Sequence, residues 1–337
     1  MKAKVQSKLN LENRTILQDA IPLETPYLLY IDPSSACNFK CQFCPTGHKD
    51  LVTATNYRRS TMSFELFEKL ISDLDEFDRP IKVMRLNKIG EPFMNKHLPK
   101  MVEIAKQSGK VEFIDLATNG SLMTRDSVTK LVTVGLDRLN ISLEGVNEKQ
   151  YLEHAKVKID FSELVEIIRW IYTNKGNCEV TIKVPGNYLT EVEKKNFLKM
   201  FGESCDRIFI EDIAPIWPSF DVETRAKTTV SNVLGQYKQP LKEKKVCAYI
   251  FYGMVINADG TVSACCPDWE QKLIIGDSRN ESLKSIWNST AMKALQIQHL
   301  EGKRLENCVC ANCGHIKYSQ VDDIDPYSEA ILDKIRC

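Results

Sequence analysis

Cysteines carry the chemistry that this sequence makes visible. Six of the twelve fall in two tight groups, Cys37-Asn-Phe-Lys-Cys41-Gln-Phe-Cys44 and Cys308-Val-Cys310-Ala-Asn-Cys313. Cys265 and Cys266 are adjacent, and Cys247 and Cys337 stand alone. Thiolates are soft ligands that favour zinc, copper(I) and iron–sulfur clusters. The first group reads C-x3-C-x2-C and has no fourth cysteine nearby. A closed four-iron cluster uses four cysteines, so three leave one iron open to a cofactor or substrate. A rival reading adds His48, because C-x3-C-x2-C-x3-H could close a zinc site. Cys178 and Cys205, far from the other cysteines, read as buried small hydrophobes.

The elements that must position these residues alternate. A short apolar run at Tyr27–Ile31 predicts a buried strand, which puts the first cysteine group on the loop after it. Residues 45–62 read as loop. Ser63 is then a predicted N-cap for a helix over Phe64–Leu74. Further strands are predicted at Ile81–Leu86, Val111–Ala117, Arg138–Leu143, Glu179–Val184 and Arg207–Ile210. Helices are predicted between them near Leu98–Gln107, Arg125–Val134, Tyr151–Asn174 and Glu191–Met200. Strands alternating with helices imply right-handed βαβ units on a parallel sheet. Six units fall short of the eight of a closed barrel, so the expected fold is α/β, a partial (β/α)6 barrel followed by a small α+β domain. Catalytic groups of parallel barrels sit at the carboxyl ends of the strands. Those ends carry Gly90-Glu91-Pro92, Thr118-Asn119-Gly120, Ser142-Leu-Glu144-Gly145 and Pro185-Gly186-Asn187. Taken singly, each of these is an ordinary turn or helix start.

Composition narrows the function. Lys+Arg and Asp+Glu both total 45, giving zero net charge, so no basic footprint marks a nucleic-acid partner. No apolar run approaches the ~18 residues of a spanning helix, and the N-terminus lacks the apolar core of a signal peptide. A cytoplasmic location without membrane attachment is expected. In a reducing compartment, clustered cysteines point to metal or redox chemistry rather than disulfides.

C-x3-C-x2-C with Phe43 before the last cysteine resembles the signature of the radical S-adenosylmethionine (radical SAM) enzymes, a family with a six-unit partial barrel. The resemblance implies that Cys37, Cys41 and Cys44 bind a [4Fe–4S] cluster whose fourth iron takes S-adenosylmethionine. Gly90-Glu91-Pro92 looks like the family's Gly-Gly-Glu motif, which holds the cofactor's amino group, with Ile89 replacing the first glycine. By the same resemblance Ser142 and Glu144 contact the cofactor's carboxylate and ribose. Phe43 touches the adenine, and Asn119 closes a frequent strand ending. Reductive cleavage of the cofactor would yield a 5′-deoxyadenosyl radical that abstracts a hydrogen atom from an unactivated carbon.

The second cysteine set is similar to the SPASM extension, an auxiliary iron–sulfur domain. The similarity rests on Cys247-x12-Gly260-x4-Cys265, with Asn257-Ala-Asp259-Gly260 as a hairpin turn. Ile275-Gly276-Asp277 and Ile286-Trp287-Asn288 add to it. The full extension has seven cysteines and two clusters. Here Ser319 and Asp323 stand where two further cysteines are expected. One auxiliary [4Fe–4S] cluster on Cys247, Cys265, Cys310 and Cys313 is therefore expected, as in the shortened "twitch" form of radical SAM aminocyclitol dehydrogenases. Cys308, Cys266 and Cys337 compete for a ligand place, and a zinc ribbon is the rival reading of this segment. The expected divisions are a leader over 1–25, the barrel over 26–215, a linker over 216–245, the auxiliary domain over 246–316 and a tail over 317–337. A short helix is expected within the leader, over Leu9–Ala20.

The substrate expectation is oxidation of a secondary alcohol on a sugar or aminocyclitol, with the auxiliary cluster as electron acceptor. Only 36 residues precede Cys37, too few for the peptide-recognition domain of many peptide maturases. Lys183, Glu211, Asp212 and His154 are candidate bases for such a step. Arg58 and Arg59 are candidate anion holders. A flavodoxin- or ferredoxin-type reductant is the expected protein partner. Two alternatives remain open. One is a maturase acting on a short peptide, by thioether formation, epimerisation or formylglycine formation. The other is a non-enzymatic zinc or electron-transfer protein.

Overall fold

A computed structural model describes residues 1–7, 14–55 and 57–336. Its sheet has ten strands in the order β1-β7-β6-β5-β4-β3-β2-β8-β9-β10. The strands are β1 (Lys4–Val5), β2 (Leu28–Ile31), β3 (Ile81–Leu86), β4 (Val111–Thr118), β5 (Arg138–Ser142), β6 (Glu179–Pro185), β7 (Arg207–Glu211), β8 (Gly253–Ile256), β9 (Thr261–Ser263) and β10 (Ile274–Asp277). Strands β2 to β7 form the expected parallel arc. Their near-continuous runs of Val, Ile and Leu suit strands covered on both faces.

The crossover helices are α1 (Phe64–Asp73), α2 (Leu98–Gln107), α3 (Arg125–Thr133), α4 (Phe161–Asn174) and α5 (Glu191–Phe201). The predicted cap Ser63 starts α1, and α3, α4 and α5 also begin at a capping side chain. The Ser63 hydroxyl accepts from Leu66 N, and Thr190 with Glu193 forms a reciprocal capping box. Each helix turns an apolar stripe onto the sheet, as Phe67 and Leu70 do from α1, both fully buried.

Three features differ from the sequence reading. The predicted helix Tyr151–Asn174 is broken: a π-helical turn, Tyr151–Ala155, ends at Lys156 with φ 56°, and α4 starts afresh at Phe161. The Asp160 carboxylate accepts from Glu163 N, so a new N-terminus is capped inside the predicted run. Residues 45–62 are not all loop, because Lys49–Ala54 is a short helix. The parallel arc is also extended at both ends. Lys4–Val5 pairs with β7, so the leader carries a strand, and β8 pairs in parallel with β2. The hairpin β8–β9 therefore continues the barrel sheet instead of forming a separate one. Of the expected helix Leu9–Ala20, only Leu17–Ala20 falls among the described residues as helix; 8–13 lie outside them. The C-terminal elements are α6 (Leu283–Trp287), α7 (Thr290–Leu300) and α8 (Ser328–Arg336). Among the described residues no helix is long and apolar enough to cross a membrane.

Candidate functional site

The carboxyl ends of the strands open into a cavity of about 310 Å³. One wall is the cysteine stretch after β2: Cys37, Cys41 and Cys44 all line the cavity. Tight backbone contacts fix that loop. A Cβ on Gly90 would lie 1.9 Å from Ser34 O, so only glycine lets the loop after β3 reach the cysteine loop. Glu91 N then donates to Ala36 O at 2.8 Å. Gly47, which the sequence reading passed over, has the same role: its Cβ would meet Cys41 O at 2.4 Å.

Glu91 is 1% exposed, and its carboxylate accepts from Phe93 N at 3.1 Å, Thr118 Oγ1 at 2.7 Å and Asn119 N at 2.8 Å. Three protein donors leave little acceptor capacity for a ligand. Glu91 thus ties the β3 loop to the end of β4, and Pro92 opens the following 3-10 turn away from the cavity lining. Asn119 Nδ2 donates to Asn38 Oδ1 at 2.9 Å and faces Cys37 Sγ at 3.9 Å. Ser142, Glu144 and Phe43 line the cavity. Glu144 is 5% exposed and its Oε2 has no partner. Burial, with Lys183 opposing and Glu211 adding, pushes its carboxyl up to about 7. Burial also pushes the Cys37 thiol up to about 12 and raises the Cys41 thiol.

The four candidate bases separate clearly. Lys183 and Glu211, on neighbouring strands β6 and β7, form an ion pair inside the cavity. Glu211 is 9% exposed, and its Oε2 is buried with no partner. Asp212 lines the cavity but is paired with Lys238. His154 is outside the lining, stacked on Tyr188 at 3.7 Å between ring centroids. Arg58 and Arg59 do not line it either. The sequence reading missed Arg85, which lines the cavity and donates to Asp115 at 2.5 and 2.6 Å and to Tyr30 OH at 2.7 Å. The signal was available: Arg85 and Asp115 are charged residues inside apolar strands. It also missed Gln236, Tyr237 and His315, brought to the lining by tertiary folding alone.

The second cysteine set assembles against the same cavity. Cys247, Cys265, Cys310 and Cys313 come from three segments: before a 3-10 turn, after β9, and twice from the segment around the short helix Cys308–Ala311. Burial raises all four thiols, and the thiols raise one another further. Cys266 reaches the cavity lining, while Cys308 is exposed. Cys337 lies outside the described residues. Cys178 and Cys205 are buried elsewhere, and the Cys205 thiol donates to Phe201 O at 3.3 Å.

Two tests bear on the groups these residues fit. Among the described residues no three His, Cys, Asp or Glu side chains converge on a single-ion site. His48, the rival zinc ligand, has its Nε2 on Gln42 O at 2.8 Å and its ring against Phe220. Around the second set, His299 Nε2, Arg304 Nε and Tyr249 OH are buried without partners. Such atoms are rare unless a group absent from the protein atoms satisfies them. The thiolate donors of both sets fit an iron–sulfur cluster.

The family model described as the radical SAM superfamily matches residues 31–195, and that of the SPASM iron–sulfur cluster-binding domain matches residues 247–314. The chain is a radical SAM enzyme with a SPASM domain. Its cofactors are S-adenosylmethionine and [4Fe–4S] clusters. This enzyme is 24% identical, over 297 residues, to the tungsten-containing aldehyde ferredoxin oxidoreductase cofactor-modifying protein of Pyrococcus furiosus; the match spans 77% of this chain and 80% of that protein. The Fe-coproporphyrin III synthase of Methanosarcina barkeri is 35% identical over 112 residues, but that match spans only 33% of this chain and 26% of the relative. Among solved structures the fold is similar to BtrN in complex with AdoMet and 2-DOIA, with TM-score 0.56, 17% identity, and coverage of 89% of this chain and 97% of that one. It is also similar to Streptococcus suis SuiB bound to S-adenosylmethionine, with TM-score 0.64, 15% identity, and coverage of 90% and 74%.

Proposed function

We propose that this radical SAM enzyme oxidises a secondary alcohol of a small polyhydroxyl molecule, a sugar or aminocyclitol. Cys37, Cys41 and Cys44 hold the first cluster. Phe43, Gly90, Asn119, Ser142 and Glu144 surround S-adenosylmethionine, with Glu91 and Pro92 shaping the loop that carries Gly90. Cys247, Cys265, Cys310 and Cys313 hold one auxiliary cluster. When bound, these groups supply hydrogen-atom abstraction by a 5′-deoxyadenosyl radical and a one-electron sink.

The observation that carries the reading is Glu211. Its Oε1 is held by Lys183, while its Oε2 is buried at the cavity without a partner. A buried, unpartnered carboxylate oxygen on a residue that lines the reaction cavity suits removal of the hydroxyl proton as the carbon is oxidised. Lys183 orients the carboxylate and offsets its charge. Asn140 and Thr181 add neutral polar groups to the same lining, with Thr181 Oγ1 donating to Asn140 Oδ1 and Asn140 Nδ2 to Leu116 O. A cavity of this size, shared with a nucleoside cofactor, favours a small second molecule.

The test is turnover of sugars and aminocyclitols deuterated at the carbinol carbon, under a flavodoxin or ferredoxin reductant. Deuterium should appear in 5′-deoxyadenosine and a ketone in the product. Glu211→Gln should lower ketone formation by roughly 10²–10⁴-fold while cofactor cleavage persists. Turnover of a short Cys- or Ser-containing peptide in place of every polyol would replace this reading with peptide maturation.

A further inference from the structure

The donors around the second cysteine set include one outside every cysteine motif. Gln320 follows Cys313 in the segment expected to be a tail. It is 6% exposed, and its side-chain Nε2 donates to Cys247 Sγ at 3.4 Å. The backbone around it is held from several sides. Gln320 N donates to His315 O at 3.1 Å, and Lys244 Nζ donates to Gln320 O. Next to it, Ser319 Oγ donates to Gln236 Oε1 at 2.9 Å, and Gln236 N donates to Tyr318 O at 2.8 Å. The amide is thereby presented to the sulfur by a rigid backbone. Arg304 stands on the same side: its guanidinium donates to Cys310 O, and its buried Nε has no protein partner.

Hydrogen bonds to cluster sulfurs help set iron–sulfur potentials. When a cluster takes one electron, no bond breaks and no proton moves, but negative charge grows on the ligand sulfurs. A donor on such a sulfur stabilises the reduced state more than the oxidised one, because hydrogen bonds strengthen with charge on the acceptor. We propose that Gln320 is a positioning residue that raises the reduction potential of the auxiliary cluster through the Cys247 sulfur. This rests on the reading of Cys247 as an auxiliary-cluster ligand.

The experiment is an anaerobic redox titration of the reconstituted full chain, following the two clusters separately by electron paramagnetic resonance. Gln320→Leu removes the donor. The auxiliary one-electron equilibrium should shift about tenfold towards the oxidised state, about 59 mV lower for one electron, with the first cluster unmoved. Gln320→Glu, which sets a carboxylate against the sulfur, should lower it further. An auxiliary midpoint unchanged in both variants overturns the proposal. If a variant loses the cluster, the wild-type chain still decides. With ¹⁵N-glutamine labelling, the reduced auxiliary cluster should show hyperfine coupling to a glutamine nitrogen, and its absence counts against Gln320. About eight irons per chain with an unmoved potential refutes only the role of Gln320. About four irons refutes the auxiliary reading beneath it, and this inference too.

Discussion

The two cysteine regions of this radical SAM enzyme are built from the same ligand and set in opposite electrostatic surroundings. Beside burial and the neighbouring thiols, the side chains that raise Cys37, Cys41 and Cys44 are acidic: Glu91 and Glu144 at Cys37, Glu144 at the other two. Around Cys247 and Cys310 the cations Arg304 and Lys244 act instead, and Gln320 donates to a sulfur. Asp268 is the acidic exception near Cys265 and Cys310, but its carboxylate accepts from Lys272 N and Leu273 N, each at 2.9 Å. Nearby negative charge opposes addition of an electron, and nearby positive charge favours it. The roles proposed above, electron donor at the first region and electron acceptor at the second, agree in sign with these surroundings. That difference comes from surroundings, because both regions present cysteine thiols.

Removal of ligands tests the comparison most severely. Cys41→Ala should abolish 5′-deoxyadenosine formation and lower iron by about four per chain. Cys310→Ala should lose the same amount of iron yet keep cofactor cleavage, with the oxidised product gone. Iron analysis beside product analysis checks both. If Cys310→Ala keeps its second cluster, the ligand set is wrong.

A smaller effect sharpens the contrast. Glu144→Gln should raise the first cluster's midpoint by up to about 59 mV, opposite in sign to the change expected for Gln320→Leu. The titration belongs at pH 8.5 without S-adenosylmethionine, where a carboxyl raised to about 7 is ionised. Equal shifts of the same sign at both clusters would show that the surroundings do not set the difference.

The smallest effect concerns Asp32, at the junction of the two regions. It is 2% exposed, and its N–H donates to Ile256 O of β8 at 2.9 Å. Burial pushes its carboxyl up to about 7, against Lys88 and with Asp259. The unfolded chain has this carboxyl near ~3.9. Between those values the folded chain binds the extra proton, so its stability contribution is complete below about pH 4 and lost as pH rises through about 7. The cluster-free chain should lose at most ~1.4 kcal/mol per pH unit from this group across that window. Glu91 and Glu144 are also raised to about 7 and share the slope. Asp32→Asn should therefore flatten the fall in unfolding midpoint between pH 5 and 7 in part. A slope identical to wild type would count against the buried, ionisable Asp32.

Much of the fold was legible because its signals are local. Ile81–Leu86 and Leu98–Gln107 fall on their predicted bounds, since apolar runs and helical spacing need only nearby residues. Tyr151–Asn174 failed because the period runs on through Lys156, where only the left-handed backbone reveals the break. β1 was invisible: two residues hold a strand only because β7 offers an edge.

What the sequence alone determined is the chemistry: thiols at C-x3-C-x2-C, a second thiol set, and polar residues at strand ends. Covalent spacing sets which ligands lie near one another along a loop. The tertiary structure decided what surrounds them. It separated Glu211, which lines the cavity with one buried oxygen unpartnered, from Asp212, which is paired with Lys238, and His154, which is stacked on Tyr188 outside the lining. It also folded the segment after Cys313 back, so that Gln320 meets the sulfur of Cys247. Such neighbours are far apart along the chain, and hydrogen bonds from Gln236, Lys244 and Val246 to residues 318–325 bring them together.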